Sequence, residues 1–221
     1  MPVETTLLLL VLPAYLLGSI PFGLVVGKSK GIDVRTAGSG NIGATNVGRL
    51  LGKKYFFVVF FLDLLKSFIP MLIASALVQR VPPAQRDAHV YLHWLLVGFA
   101  AVLGHMFSVF LKFKGGKGVA TSAGVMLGLV PYYTLPGLVA ILIFMPVFFA
   151  TRYVSLSSMI GACTFPIAYV AIGEALGWNI TGSQLPLLIF AIVMALLIVY
   201  RHRANIQRLL AGTENRFVKK A

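Results

Sequence analysis

The sequence predicts an all-α integral membrane protein of about seven transmembrane helices, amino terminus outside and carboxyl terminus cytoplasmic, with glycine-rich cytoplasmic loops forming its site. Three observations carry that reading. Of 221 residues, 58% are hydrophobic and 11% charged, with a mean hydropathy of +0.90, whereas an ordinary soluble domain is roughly 25% charged. Apolar stretches recur at about the 20 residues a helix needs to cross a bilayer. The charges are one-sided: 19 Lys and Arg against 6 Asp and Glu give +13 at pH 7. With this hydropathy, such an excess points to anionic lipid or an anionic substrate and away from nucleic acid. No soluble domain separates off and no internal repeat is visible, so residues 1–221 read as a single membrane-embedded domain.

The spans follow in order: Thr5 to Val26, Tyr55 to Val78, Val90 to Leu111, Val119 to Leu135, Pro136 to Ala150, Val154 to Ile172 and Leu185 to Tyr200. The first has no Lys or Arg before it and no small-residue cleavage pattern, so it reads as an uncleaved span and not a signal peptide. Val119 to Ala150 is continuous and apolar. As one helix it would run about 48 Å against a hydrocarbon core of about 30 Å. Pro131 and Pro136 place a break there, making a helical hairpin. Cys163 lies in an apolar run and reads as a packed small hydrophobe.

Sidedness follows from the basic residues. Lys28, Lys30, Arg35, Arg49, Lys53, Lys54, Lys112, Lys114, Lys117, Arg152, Arg201, Arg203, Arg208, Arg216, Lys219 and Lys220 fall on one side of the seven-span arrangement. Only Arg80 and Arg86 fall on the other. By the positive-inside rule the larger group faces the cytoplasm. Losing span four would move Arg152 and the whole tail outside, so the same asymmetry supports the hairpin.

Three polar clusters then share the cytoplasmic side. The first runs from Gly38 to Arg49. Gly38, Gly40 and Gly43 have G-x-G-x-x-G spacing, but no strand precedes them and a dinucleotide fold is excluded. What survives is an anion nest, in which glycines at positive φ let backbone N–H groups converge. Ser39, Asn41, Thr45 and Asn46 add donors, and Arg49 adds a fork matched to phosphate oxygens.

The second cluster carries Gly115, Gly116, Lys117 and Gly118 into the start of span four. Leu111 stands where a Walker A motif needs its first glycine and Gly118 where it needs Ser or Thr, so nucleotide hydrolysis is not supported. A helix start beside a lysine still attracts an anion. Lys112 and Lys114 read as juxtamembrane lysines.

In the third cluster, His202, Asn205 and Leu209 share one helical face, as do Arg201 and Arg208, and Gly212 reads as a cap. A stop-transfer tail requires neither the imidazole nor the amide. Asp63 and Lys66, three apart in span two, are expected to pair, either bracing the site or satisfying only themselves. His105 reads as packed and hydrogen-bonded. No metal-site spacing occurs, and neither metal nor cofactor is expected.

GSGNIGATNVGR, GHMFSVFLKFKGGKGVAT and RHRANIQRLLAGTENRF, with the intervening GKKYFFVVFFLDLLKSFIP and RYVSL, resemble the motifs of the bacterial membrane-bound acyl-phosphate:glycerol-3-phosphate acyltransferases. The resemblance runs from Gly38 to Phe217 with no departure at the polar motif positions. It implies acyl transfer from acyl phosphate to the 1-hydroxyl of glycerol 3-phosphate at the inner membrane, the first acylation of bacterial phospholipid synthesis. Lys117, Ser39, Arg49, His202 and Asn205 would be catalytic; Gly38, Gly40, Asn41, Gly43, Thr45, Asn46, Gly115, Gly116 and Gly118 would hold the substrate phosphates. Membrane lipid is the expected surrounding partner. The H-x-x-x-x-D dyad of thioester-dependent acyltransferases is absent: five residues after His89, His93, His105 and His202 stand Trp94, Gly98, Phe110 and Gln207. The alternative class is a transporter of small phosphorylated anions, but these motifs gather at one surface and not at the midplane.

Overall fold

Where the sequence suggests a continuous first span, the chain breaks. In the computed structural model, which describes residues 1–217, helix α1 (Val3–Ser19) ends at Ile20 and α2 (Phe22–Lys28) begins after Pro21. A residue before proline is pushed out of helical geometry, and proline has no N–H to continue the ladder. The carbonyls freed at the break find other partners: Ser108 Oγ donates to Ser19 O at 2.6 Å and Lys66 Nζ to Ile20 O at 2.9 Å.

The remaining helices are α3 (Ala44–Leu51), α4 (Lys53–Val78), α5 (Ala88–Met106), α6 (Val119–Gly128), α7 (Thr134–Thr151), α8 (Val154–Ala175), α9 (Leu185–Arg201) and α10 (Arg203–Leu210). No strand occurs among the described residues. Lys219 and Lys220, counted above in the sidedness argument, lie outside them. The chain divides into two compact units, Met1–Leu129 and Val130–Ala221.

Among the described residues five stretches are long and apolar enough to span a membrane: Val3–Lys28, Lys53–Val78, Ala88–Leu111, Thr134–Thr151 and Val154–Ala175. A sixth is counted if α9 and α10, bent by 56° at His202, are one span. This is an integral membrane protein, but span four of the seven does not have its expected length. The break expected around Pro131 is present, yet α6 stops at Gly128 after 10 residues, about 15 Å of rise and half a hydrocarbon core. A helix ending in apolar surroundings leaves carbonyls that water cannot satisfy. Ser75 of α4 supplies a partner at that end, its Oγ donating to Gly128 O; nearer the start of α6, Ser67 Oγ donates to Thr121 O at 2.6 Å.

In the first unit, α1 packs on α5 closely enough that a Cβ at Gly104 would lie 2.2 Å from Tyr15 O. Tyr15 Oη donates to Phe107 O at 2.8 Å. Asp63 and Lys66 meet as expected, with Nζ 2.8 Å from Oδ1 and both side chains buried.

In the second unit, α7 and α8 form a hairpin that turns at Arg152, whose φ is +62°. Tyr133 sits among Phe165, Tyr169 and Phe190 and donates to Leu187 O at 2.5 Å, joining the start of α7 to α9. Cys163 departs from its expected packing: it lies on the exposed side of α8, where an apolar thiol costs nothing against lipid.

Candidate active site

The first cluster is built around one amide. Asn46, in the first turns of α3, is buried. Its Oδ1 accepts from Ser39 N–H at 2.8 Å, and its Nδ2 donates to Val34 O, Ala37 O and Asn41 O at 2.9, 3.1 and 2.9 Å. One side chain thus gathers the whole 34–41 loop. Gly38, at φ +62°, passes so near that a Cβ there would lie 2.3 Å from Asn46 Oδ1; both its conformation and its clearance call for glycine. Asn41 Oδ1 accepts from Gly43 N–H at 2.8 Å, just before α3. Ser39 is exposed on the loop, Thr45 is half-buried in the first turn of α3, and Arg49 is half-buried in its last.

The second cluster is pinned by its own backbone. Gly115 N–H donates to Met106 O at 3.1 Å and Gly116 N–H to His105 O at 3.0 Å. Gly118 precedes α6 at φ +83°, packed against Met106. No side chain caps α6, so the first-turn N–H groups of that helix are left to outside acceptors, with the half-buried Lys117 immediately before them.

These bonds revise the nest expected from the glycines. The N–H groups of Ser39, Gly40, Gly43, Gly115 and Gly116 are spent on the protein's own oxygens, as is the Asn46 amide, while Asn41 Oδ1 is spent on Gly43 N–H. Their work is to shape the loops that carry Ser39, Thr45, Arg49 and Lys117. The two loops share one support: Leu24, Val34, Ile42, Val47, Val59 and Leu111 form a single buried cluster. Ile42, just before α3, and Val47, within it, belong to the first cluster and Leu111 to the segment leading into the second, so the two polar segments sit on the same apolar pad.

In the second unit the organising group is a carboxylate. Glu214 Oε1 accepts from Ser155 Oγ at 2.8 Å and Asn205 Nδ2 at 2.6 Å, while Oε2 accepts from Arg208 Nε at 2.8 Å. Burial pushes this carboxyl up, but the bonds from Asn205, Ser155 and Arg208 and the Arg208 charge outweigh it and hold it below its ordinary 4.5. His202 is buried at the kink between α9 and α10, its Nδ1 2.8 Å from Ile198 O; facing a carbonyl, that nitrogen is the donor. Gly212 closes the segment at φ +68°.

The sequence profile of the glycerol-3-phosphate acyltransferase family matches residues 8–212. The chain belongs to that family. The glycerol-3-phosphate acyltransferase of Aquifex aeolicus is 48% identical over 213 residues, 95% of this chain and 98% of that one. The enzyme of the same name from Geotalea daltonii is 45% identical, covering 96% and 98%. A crystal structure of PlsY (YgiH), an integral membrane glycerol 3-phosphate acyltransferase in its glycerol 3-phosphate form, superposes with a TM-score of 0.79 at 46% identity over 96% of both chains. Its lysophosphatidic acid form gives 0.77 at 45% identity.

Two features of this acyltransferase escape a reading of motifs. Glu214 stands inside the third cluster but shows its role only when the tail folds back, with Arg216 Nε donating to Tyr153 Oη at 3.2 Å and Phe217 N–H to Arg152 O at 2.8 Å. Ser155 likewise gains its role from a partner 59 residues away. The available signal was a lone carboxylate, Glu214, amid the arginines of the tail.

Proposed function

We propose that the protein transfers a fatty acyl group from acyl phosphate to the 1-hydroxyl of sn-glycerol 3-phosphate, releasing lysophosphatidic acid and inorganic phosphate. The observation that carries the reading is the buried apolar cluster that joins the Gly38–Arg49 segment, through Ile42 and Val47, to Leu111 in the segment leading to Lys117, which supports a common site for the two sets of phosphate-binding side chains. Relatives crystallised with glycerol 3-phosphate and lysophosphatidic acid support the acceptor and the product. The missing H-x-x-x-x-D dyad supports a donor more reactive than a thioester.

Acyl phosphate is a mixed anhydride. The hydroxyl oxygen attacks the acyl carbon, the bond from that carbon to the phosphate oxygen breaks, and phosphate departs with both electrons. Lys117, Arg49 and the start of α6 stabilise the departing charge, so positioning and electrostatics carry most of the catalysis. A substrate phosphate oxygen accepts the hydroxyl proton, which makes a strong protein base unnecessary. His202 and Asn205 are assigned to glycerol phosphate. The one-sided basic residues of the sequence support chemistry at the cytoplasmic face of the cell membrane. The acyl chain enters from the inner leaflet, past Phe110 and Phe113, both 60% exposed, since each buried CH₂ contributes about 0.8 kcal/mol.

The test supplies purified protein in detergent with both substrates and follows phosphate and lysophosphatidic acid together. One phosphate per lysophosphatidic acid is expected, with none when acyl phosphate is replaced by the acyl-coenzyme A thioester. Equal turnover of the thioester overturns the donor assignment; uptake of glycerol phosphate into vesicles without product returns the transporter reading.

A further inference from the structure

The chemistry above leaves three buried ionisable groups unused. Asp63, Lys66 and His105 are 2%, 2% and 4% exposed, deep enough that each needs a reason to be there. Lys66 Nζ lies 2.8 Å from Asp63 Oδ1, donates to Ile20 O at 2.9 Å, and sits 5.7 Å over the Phe22 ring. His105 Nδ1 approaches the same Asp63 oxygen at 3.6 Å.

The far side of the imidazole meets the second loop. A Cβ on Gly116 would lie 2.2 Å from His105 Nε2, so the turn rests directly against the ring. The His105 carbonyl also accepts the Gly116 N–H at 3.0 Å. His105 therefore holds Gly116 through both ring and backbone, and the next residue is Lys117. An ion pair that satisfied only itself would need neither the histidine nor the turn. Through Ile20 O the same chain of contacts also reaches the break between α1 and α2.

We propose that Asp63, Lys66 and His105 form a positioning network that sets where Lys117 presents its ammonium group. The inference rests on the reading of Lys117 as a phosphate-binding residue. Lys66 anchors Asp63 to the α1–α2 break, Asp63 orients the imidazole, and the imidazole supports the turn. None of the three touches substrate. A misplacement of about 1 Å in such a shell costs up to about 10²-fold in rate, so His105→Gln reduces kcat/KM by between tenfold and that limit.

The test compares kinetic signatures. Lys117→Arg keeps the charge but moves it, and identifies which of the two substrates loses affinity. His105→Gln raises KM for that same substrate and leaves the other KM unchanged, with a melting temperature close to that of the parent. Gly116→Ala, which drives a methyl against the ring from the opposite side, reproduces the pattern and serves if His105→Gln does not fold. A fall in kcat matching the lost folded fraction, with both KM values intact, overturns the inference. So does an unchanged His105→Gln beside an impaired Lys117→Arg, which leaves the reading of Lys117 standing. An unchanged Lys117→Arg sinks that reading and the inference with it.

Discussion

The two polar regions of this acyltransferase are organised by opposite chemistry. In the first unit a neutral amide, Asn46, gathers three carbonyls and one N–H. In the second a charged carboxylate, Glu214, gathers a hydroxyl, an amide and a guanidinium. The amide suits a loop whose own backbone presents oxygens; the carboxylate suits a tail whose side chains present only donors. Each organiser is matched to what faces it, so exchanging acid for amide at either place supplies the wrong hydrogen-bonding group.

The comparison breaks most severely at the cationic side chains of the first unit. Lys117→Ala and Arg49→Ala are each expected to lower kcat by about 10²–10³-fold, the usual loss on removing a preorganised charge-stabilising donor. Expression and melting temperature should stay near the parent's. Phosphate release under saturating substrates measures this.

The next test exchanges the organisers' chemistry. Asn46→Ala orphans buried backbone groups at about 1–3 kcal/mol each. Asn46→Asp is expected to be worse still, although it is nearly the same shape, because a carboxylate oxygen then faces three carbonyl oxygens. Thermal melting ranks the two, and equal stability would remove the account of Asn46. Glu214→Gln retains an acceptor for Ser155 and Asn205 but turns an amide toward Arg208, so a loss of about 10- to 150-fold in activity is expected, the range spanned by the roughly 1.5–3 kcal/mol of one charge-assisted bond.

Acid sharpens the contrast further. Because the folded Glu214 carboxyl lies below its ordinary 4.5, the stability it contributes is complete above that value and is lost as pH falls through its lowered one. Melting between neutral pH and that range should reveal this loss in the parent and its absence in Glu214→Gln. The smallest effect belongs to the exposed pair of Asp33 and Arg35. Their atoms approach to 2.6 Å, and the Arg35 hydrogen bonds pull the Asp33 carboxyl down to about 2. Solvent screens such pairs, so Asp33→Asn should leave melting unchanged and activity within about twofold.

Composition and periodicity alone determined that this chain is helical and membrane-embedded, with basic residues gathered in a few loops. Hydropathy and net charge are properties of the residues themselves, so no contact is needed to read them. The spacing of the motifs likewise singled out Ser39, Arg49, Lys117, His202 and Asn205, because glycines, hydroxyls and cations in such density have few other uses. Tertiary structure decided the rest. That α6 can end after 10 residues rests on Ser75 of α4 meeting the Gly128 carbonyl, a relation between positions more than fifty residues apart. That Asn46 builds a loop and Glu214 orders a tail depends on which atoms folding brings within 3 Å, and hydrogen bonding at that range has no signature in local sequence.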